Sequence, residues 1–332
     1  MKRKGLKKSI LVFFLLISWI ILPMVWANQA LAAQEKIRLS YGGATTSSWF
    51  YMYSAALVNV WKQFVPEVDV TLIATPGSMS NYVPLDKGEL DLAVGSNTGN
   101  YYAVQGIEIT KEKLSNITVM LPCSMNFCHA VTYADSPMKG FKDQEGKRIL
   151  VGPKASTGAV HTRQLFEALG MSAQYIYTTQ AESIGMMKDR RADGMLYHVA
   201  APWSGIMDIQ TSRSLKLLSM TPDEQNKIAA GIPFSIPTII PAKAYDFQNE
   251  DIRTVSTRGG VNVRPGIPEE VVYKLTKIAW DRFDDLVRGI ESLKWMKPEY
   301  ILDLKAPLHP GAAKYYREIG VKVPDEMIWK KQ

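Results

Sequence analysis

Residues 37–48, IRLSYGGATTSS, combine a short alternating strand with a following loop of small and hydroxylated residues. Ile37, Leu39 and Tyr41 alternate with polar residues, as on a half-buried strand. After the loop, apolar residues recur three or four positions apart up to Phe64, which predicts an amphipathic helix. A strand, a loop and a helix in this order are typical of α/β proteins.

The same order of elements returns in residues 148–158, RILVGPKASTG, which precede another helical pattern. Repeated units of this kind predict a parallel sheet with helices on both faces. Near the carboxyl end, the spacing of apolar residues predicts one long amphipathic helix from Pro268 to Leu293. Further strands are predicted at residues 68–74, 90–94, 175–177, 195–199 and 215–218.

Length, composition and charge narrow the class of protein. With 332 residues, 46% of them hydrophobic and only two cysteines, the chain suits two globular domains and excludes a disordered, collagen-like or disulfide-stapled protein. The formal net charge of +7 comes from 39 basic and 32 acidic residues. The first nine residues hold five of the basic ones, so 34 remain against 32 acidic residues, a net charge of +2. This remainder has no polybasic stretch, so we expect no nucleic-acid partner.

The amino terminus has the three parts of an export signal. Five basic residues precede an apolar run over residues 10–26, and Ala30-Leu31-Ala32 is a small-x-small cleavage pattern. We therefore expect residues 1–32 to be a cleaved signal peptide and the mature protein to be periplasmic. A retained membrane anchor is the alternative, although the apolar run of 17 residues is shorter than a spanning helix.

The two cysteines, Cys123 and Cys128, are five positions apart. An exported protein can keep a disulfide. Five residues of extended chain span about 16 Å, which is too far for a bridge. Either the intervening residues turn and the cysteines pair, or both cysteines are buried as small apolar residues.

Four loops of small and hydroxylated residues follow predicted strands, at residues 42–48, 75–78, 96–99 and 152–158. Loops at the carboxyl ends of parallel strands face the crevice in which open α/β sheets bind ligands. The helix after such a loop offers unpaired N–H groups and the positive end of its dipole, which favour an anion such as a carboxylate. Neither the first loop nor the fourth has a nucleotide-binding glycine pattern.

These loops and their flanks supply the candidate ligand-binding residues: Thr46, Ser47, Trp49, Phe50, Ser78, Asn97, Lys154, Ser156, Thr157 and His198. Hydroxyl groups add directed hydrogen bonds, and Lys154 offers a point charge for a carboxylate. Some of these assignments have a structural alternative. Trp49 and Phe50 either wall the pocket or belong to the core, Lys154 is either a ligand contact or solvated, and His198 either reaches the crevice or is packed.

No catalytic or metal-binding pattern is found in the sequence. It has neither a G-x-S-x-G elbow nor an H-E-x-x-H motif. Its four histidines, at positions 129, 161, 198 and 309, lack metal-ligand spacing. We therefore expect no enzymatic activity, no cofactor and no metal.

Several stretches resemble the motifs of one family. Residues 75–81, TPGSMSN, are similar to T-G-G-S-x-x-N, and residues 88–95, GELDLAVG, to G-E-x-D-L-G. Residues 155–158, ASTG, are similar to G-S-G-T, and residues 308–320, LHPGAAKYYREIG, to H-P-G-A-x-x-Y-Y-R-E-x-G. These are motifs of the TAXI class of TRAP transporter solute receptors, which are extracytoplasmic solute-binding proteins. The resemblance covers essentially the whole mature chain.

The resemblance implies a fold and a division of the chain. The fold is that of class II periplasmic binding proteins, in which two α/β lobes are joined by crossover strands and close on a ligand by hinge motion. Residues 34–130 and 236–332 would form lobe I, and residues 131–235 would form lobe II.

The resemblance also implies a function. A monomer would capture a small organic anion, glutamate-like or a dicarboxylate by default, and deliver it to the membrane subunits of the transporter. Departures from the family pattern, including Ser47-Ser48, Phe50, Pro76 and Asn97, lie in the ligand-facing loops, so the identity of the solute is not carried over. The alternatives are a ligand-binding input protein for a membrane sensor and a secreted hydrolase.

Overall fold

One mixed sheet of ten strands organises the computed structural model, which describes residues 36–108, 111–232 and 234–331. The residues from Arg38 onward form one compact unit. The predicted signal peptide, residues 1–32, lies outside the described residues. The strands are β1 Ile37–Gly42, β2 Val68–Ile73, β3 Leu92–Ser96, β4 Thr118–Tyr133, β5 Arg148–Leu150, β6 Gln174–Ile176, β7 Gly194–Val199, β8 Leu215–Leu217, β9 Ile236–Ile240 and β10 Ile252–Val263.

The helices lie between the strands and after β10. They are α1 Trp49–Phe64, α2 Tyr82–Asp86, α3 Asn97–Gln105, α4 Thr157–Ala168, α5 Gln180–Lys188, α6 Ser204–Gln210, α7 Pro222–Gly231, α8 Glu269–Asp281, α9 Phe283–Gly289 and α10 Pro310–Glu318. Short 3-10 segments include Ser78–Asn81 and Glu291–Trp295. Within the described ranges, no helix has the length and apolar character needed to span a membrane.

The strand order is β2-β1-β3-β10-β4-β7-β5-β6, with β8 paired to β4 and β9 to β10. The strands β1 and β3 are parallel, as are β5 and its neighbours β6 and β7. The order β2-β1-β3 next to β10 is thus mirrored by β6-β5-β7 next to β4. We call β1–β3 the first strand group and β5–β7 the second strand group. The predicted α/β fold with strand–loop–helix units is confirmed.

The long strands β4 and β10 connect the two strand groups. They run antiparallel to each other, and Asn126 of β4 lies opposite Thr257 of β10. The strand β10 also pairs with β3, and β4 pairs with β7, where Cys128 lies opposite His198. The predicted lobe boundary at residue 130 falls within β4, so both groups share this strand.

Apolar residues on both faces bury the second strand group. On β7, Met195 and Val199 pack in one core cluster with Trp203, while Leu196 packs in another with Phe166. Successive residues of a strand point to opposite faces, so this alternation places a core on each side of the sheet. Burial on both faces is typical of parallel strands covered by helices.

The cysteines are free, and both are buried. Strand β4 runs without a turn through both positions, which keeps them apart. Burial raises the pKa of the Cys128 thiol to about 12 and raises that of Cys123 as well. Of the two alternatives, the structure therefore has the buried small residues.

Two sequence-based boundaries were wrong. The predicted single helix from Pro268 to Leu293 breaks at Arg282, whose backbone leaves the helical region with φ −110° and ψ 23°. The Arg282 guanidinium carbon lies 3.9 Å from the centre of the Phe64 ring. The apolar spacing predicted a continuous helix because Leu286, Ile290 and Leu293 are still buried beyond the break. The second error is the predicted loop at residues 96–99, where α3 begins directly after β3.

Candidate functional site

A cavity lies at the carboxyl ends of the strands of both groups. Its walls come from the segments that follow β1, β2, β5 and β6, from the ends of β3 and β7, and from the middle of β4 and β10. The space open to the centre of a water molecule is about 70 Å³. One water needs roughly 10–15 Å³ on this measure, so the cavity holds a handful of waters or one small solute.

Three helices begin at the cavity with a serine N-cap. The hydroxyl of Ser48 accepts a hydrogen bond from the backbone N–H of Tyr51 at 3.1 Å, which caps α1. Ser96 caps α3 in the same way, at 3.2 Å from the nitrogen of Gly99. Ser156 caps α4, at 3.1 Å from the nitrogen of Ala159. All three serines line the cavity.

A fourth helix, α5, begins at Gln180, which also lines the cavity. The N-terminus of a helix carries unpaired N–H groups and the positive end of the dipole. The α5 end already holds the carboxylate of Glu182 in a capping box. The other three ends, those of α1, α3 and α4, come from both strand groups and make the cavity favourable for negative charge.

The charge in the cavity comes from these backbone dipoles, because the side chains that line it are neutral. Among the described lining residues, none is Lys, Arg, Asp or Glu. The polar side chains there are hydroxyls and amides, such as those of Thr45, Asn126 and Thr257, and two imidazoles.

The two imidazoles belong to His161 of α4 and His198 of β7. Their ring centres are 4.6 Å apart. The Nε2 atom of His161 lies 2.6 Å from the hydroxyl of Ser235, and Nε2 of His198 lies 3.3 Å from the hydroxyl of Thr162. Burial lowers the pKa of His161 to about 4. Burial, and then the neighbouring imidazoles of His161 and His129, hold the pKa of His198 well below its usual range.

The two strand groups touch at the cavity wall. The hydroxyl of Ser78, after β2, lies 3.0 Å from that of Thr157, after β5. The backbone N–H of Met79 donates to the carbonyl of Ala155 at 3.1 Å. A Cβ atom added at Gly77 would lie 2.8 Å from that carbonyl oxygen, so only glycine permits this approach.

Six of the predicted site residues line the cavity, namely Trp49, Phe50, Ser78, Ser156, Thr157 and His198. Trp49 fits both of its alternatives, because it also stacks on Tyr53 with ring centres 5.4 Å apart. His198 likewise lines the cavity and is packed against His161.

The other four predicted residues lie outside the cavity lining. Thr46 and Ser47 are exposed, and their neighbours Thr45 and Ser48 line the cavity instead. Lys154 is exposed.

Asn97 is buried behind the lining and makes hydrogen bonds to the backbone. Its Oδ1 accepts from the N–H of Thr98 at 2.8 Å and from that of Arg258 at 3.3 Å. Its Nδ2 donates to the carbonyl of Phe234 at 3.2 Å.

Sequence reasoning missed several lining residues: Asn126, His161, Gln180, Tyr197 and Thr257. His161 follows Thr157 and Gly158 at helical spacing, so the face of α4 that carries the predicted Thr157 also carries His161. A signal for Asn126 and Thr257 is weaker, because each is one polar residue in a long strand whose register the sequence does not reveal.

The histidine of the H-P-G motif lies elsewhere and has a structural role. His309 is the N-cap of α10, where its Nδ1 accepts from the N–H of Gly311 at 3.2 Å and its Nε2 donates to the carbonyl of Ile267 at 3.0 Å. Across the described residues, no cluster of three or more His, Cys, Asp or Glu side chains forms a metal site.

Known structures share this fold at low sequence identity. MatC from Rhodopseudomonas palustris with bound malate is 12% identical, with a TM-score of 0.57 over 85% of this chain and 96% of that one. A TctC solute-binding protein from Polaromonas is 12% identical, with a TM-score of 0.50 over 86% of this chain and 97% of that one. A family model for the NMT1-like family matches residues 41–320. The chain belongs to the NMT1-like family.

Proposed function

We propose that this protein is an extracytoplasmic solute-binding protein that captures a small organic anion in the cavity between its strand groups. The observation that carries the proposal is that the N-termini of three helices, α1, α3 and α4, meet at a cavity lined by neutral side chains. Such N-termini attract an anion through N–H groups and dipoles, without a positively charged side chain.

The cavity size favours a small solute. A volume of about 70 Å³ for water centres accommodates a molecule the size of a short mono- or dicarboxylate. Malate in MatC belongs to this chemical class. The resemblance of the sequence to TAXI-class receptors supports a glutamate-like or dicarboxylate solute and, as the partner, the membrane subunits of a TRAP transporter.

Closure around the solute is part of the proposal. The two strand groups would act as lobes, with β4 and β10 as the crossover strands about which they rotate. The contacts between residues 77–79 and residues 155–157 would then form on closure and break on release. In this proposal, residues 1–32 direct export to the periplasm. The exported protein acts there as a monomer.

A hydrolase is the weaker candidate. The hydroxyl of Ser235 lies 2.6 Å from Nε2 of His161, as in a serine nucleophile with its base. However, the Nδ1 atom of His161 has no hydrogen-bond partner, whereas a triad needs a carboxylate there. An input protein for a membrane sensor would use the same cavity and differ only in its partner.

The test is a thermal-shift screen of the protein purified from the periplasm after expression of the full chain. The screen compares malate, succinate and L-glutamate with a neutral diamide and with L-lysine. An anion at 100 times its dissociation constant should add about 2.7 kcal/mol to the free energy of unfolding. Stabilisation by the neutral or cationic compounds alone would contradict the proposal.

A further inference from the structure

His161 and His198 are the side chains that allow the described cavity lining to change its charge near neutral pH. The other polar groups of the lining are hydroxyls and amides, which stay neutral in this range. An anion that enters the cavity therefore meets helix dipoles and two imidazoles. Each imidazole becomes a cation when it takes up a proton.

Each ring keeps one nitrogen without a partner. The Nδ1 atoms of His161 and His198 are both buried, and neither has a hydrogen-bond partner. For His198 the tautomer follows from its neighbour: the Thr162 hydroxyl donates its one proton to the carbonyl of Gly158 at 2.9 Å, so Nε2–H of His198 donates to Thr162. The Nδ1 atom of His198 is then an unprotonated acceptor that is free to take a proton.

No group in the described structure supplies the negative charge that would hold this proton. The hydrogen bonds of the two imidazoles go to Ser235 and Thr162, and none joins either ring to a carboxylate. Of the neighbouring titratable groups, the Tyr197 hydroxyl is paired with Ser183 at 2.7 Å. On β4, the residue opposite His198 is Cys128, whose thiol stays neutral because burial raises its pKa to about 12. The next residue, His129, is paired with the Tyr245 hydroxyl at 2.8 Å.

Arg163, next to Thr162 on α4, lies 3.9 Å from Glu108 and so has its own countercharge. Both imidazoles are consequently neutral in the empty protein, in agreement with their low pKa values. A bound carboxylate would reverse this balance, because an opposite charge nearby favours the protonated imidazole.

We propose that the His161–His198 pair takes up one proton when an anion binds, so that solute capture is linked to proton capture. This inference rests on the proposed function. The uptake is limited to one proton because two imidazolium ions with ring centres 4.6 Å apart would repel each other. Affinity for the anion then rises as the pH falls.

The experiment measures proton uptake directly by calorimetry. Malate, succinate and L-glutamate are titrated into the protein purified from the periplasm at pH 6, in MES and in imidazole buffer. The difference in heat between buffers of different ionisation enthalpy gives the number of protons taken up. We expect about 0.5–1 proton for the anion that binds. The dissociation constant should rise up to ~tenfold per pH unit from about pH 4 to the pKa of the imidazole in the complex, and level off above it.

Variants identify the group that takes up the proton. His198→Gln removes the imidazole whose Nδ1 is the unprotonated acceptor, so it should lower the uptake more than His161→Gln does. The double variant His161→Gln/His198→Gln should abolish the uptake and make the affinity independent of pH. Each variant is checked for an unchanged melting temperature at pH 7.5. Lys142→Gln is the matched control, because Lys142 is an exposed cation that lies outside the cavity lining. Its proton uptake and affinity should equal those of the wild type.

The outcomes separate the two proposals. If an anion binds with no proton uptake and with the same affinity at pH 5.5 and 7.5, this inference is wrong and the proposed function stands. Uptake that persists in the double histidine variant also overturns the inference. If none of the three anions binds, the proposed solute class is wrong, and the proton linkage is wrong with it.

Discussion

The hydroxyl of Ser78 lies 3.0 Å from the hydroxyl of Thr157. Ser78 follows β2 of the first strand group, and Thr157 follows β5 of the second. The backbone N–H of Thr157 also donates to Ser78, at 3.3 Å. Both residues line the cavity. Residues 77–79 must therefore approach α4 both to form this hydrogen bond and to enclose a ligand in the cavity.

Removing this bond should weaken ligand binding. Ser78→Ala and Thr157→Val should each raise the dissociation constant about 3–10-fold, since one hydrogen bond contributes roughly 0.5–1.5 kcal/mol. The double variant should lose less than the sum, because both changes remove the same bond. Calorimetric titration of all four proteins gives the coupling energy. Ser80→Ala is the control, since its hydroxyl donates within its own segment, to the carbonyl of Gly77. Strictly additive losses in the double variant would contradict a shared contribution of the Ser78–Thr157 bond to binding.

Gly77→Ala should hinder closure. The added Cβ would lie 2.8 Å from the carbonyl oxygen of Ala155 and 3.0 Å from its carbon, so the segment must move away from α4. We expect the dissociation constant to rise at least ~tenfold, at 1.4 kcal/mol per factor of ten. The fluorescence of Trp49, which lines the cavity, can follow the titration. Gly185→Ala on α5 is the matched control, since nothing lies within 4 Å of its added Cβ. Equal affinity in the Gly77 variant would show that this approach is not needed for binding.

Gly311→Ala should destabilise the fold and leave the affinity of the folded protein unchanged. The added Cβ would collide with the carbonyl oxygen of Glu269 and lie 2.8 Å from the nitrogen of Tyr273, so α10 must move away from α8. Overpacking of this kind costs about 1–3 kcal/mol. Urea unfolding measures the loss, with Gly289→Ala as the control, because its added Cβ meets no atom within 4 Å. A changed dissociation constant with unchanged stability would give the H-P-G motif a role in binding.

In the absence of ligand, the free energy of unfolding should begin to fall at a pH above the range in which the carboxylates titrate. Burial lowers the pKa of His129, His161 and His309 to about 4, below the value of about 6.5 in an unfolded chain. The unfolded chain therefore binds more protons between these values, and stability falls as the pH falls from 6.5 towards 4. Each such histidine contributes a slope of up to about 1.4 kcal/mol per pH unit. Urea unfolding at pH 7.5, 6 and 5 measures it; equal stability at the three values would contradict the burial of neutral histidines.

The sequence allowed the ligand-facing segments to be predicted, because each follows a recognisable strand. Ser156 was predicted as a ligand contact because of its hydroxyl, and in the structure this hydroxyl also caps α4. What the sequence did not reveal is how far each side chain lies from the cavity. Thr46 and Ser47 have the same chemistry as Thr45 and Ser48, and only the backbone path after β1 separates the exposed pair from the lining pair.

Longer-range packing explains the remaining differences. Asn126 and Thr257 reach the cavity because they lie opposite each other on β4 and β10, and this pairing joins residues more than a hundred positions apart. The break at Arg282 likewise depends on Phe64, with which it makes contact across the fold. His161 was within reach of the helical periodicity of α4, and a search of that face for titratable groups would have found it.

In the proposed site, helix N-termini select an anion without a Lys or Arg side chain in the described lining. The most direct measurement compares the dissociation constants of the tightest-binding carboxylate of the panel and its uncharged amide, by calorimetry at pH 6. The amide should bind at least ~100-fold more weakly, equivalent to 2.7 kcal/mol or more. This ratio should be the same in Lys154→Gln. Equal binding of the acid and the amide would contradict anion selection by helix N-termini.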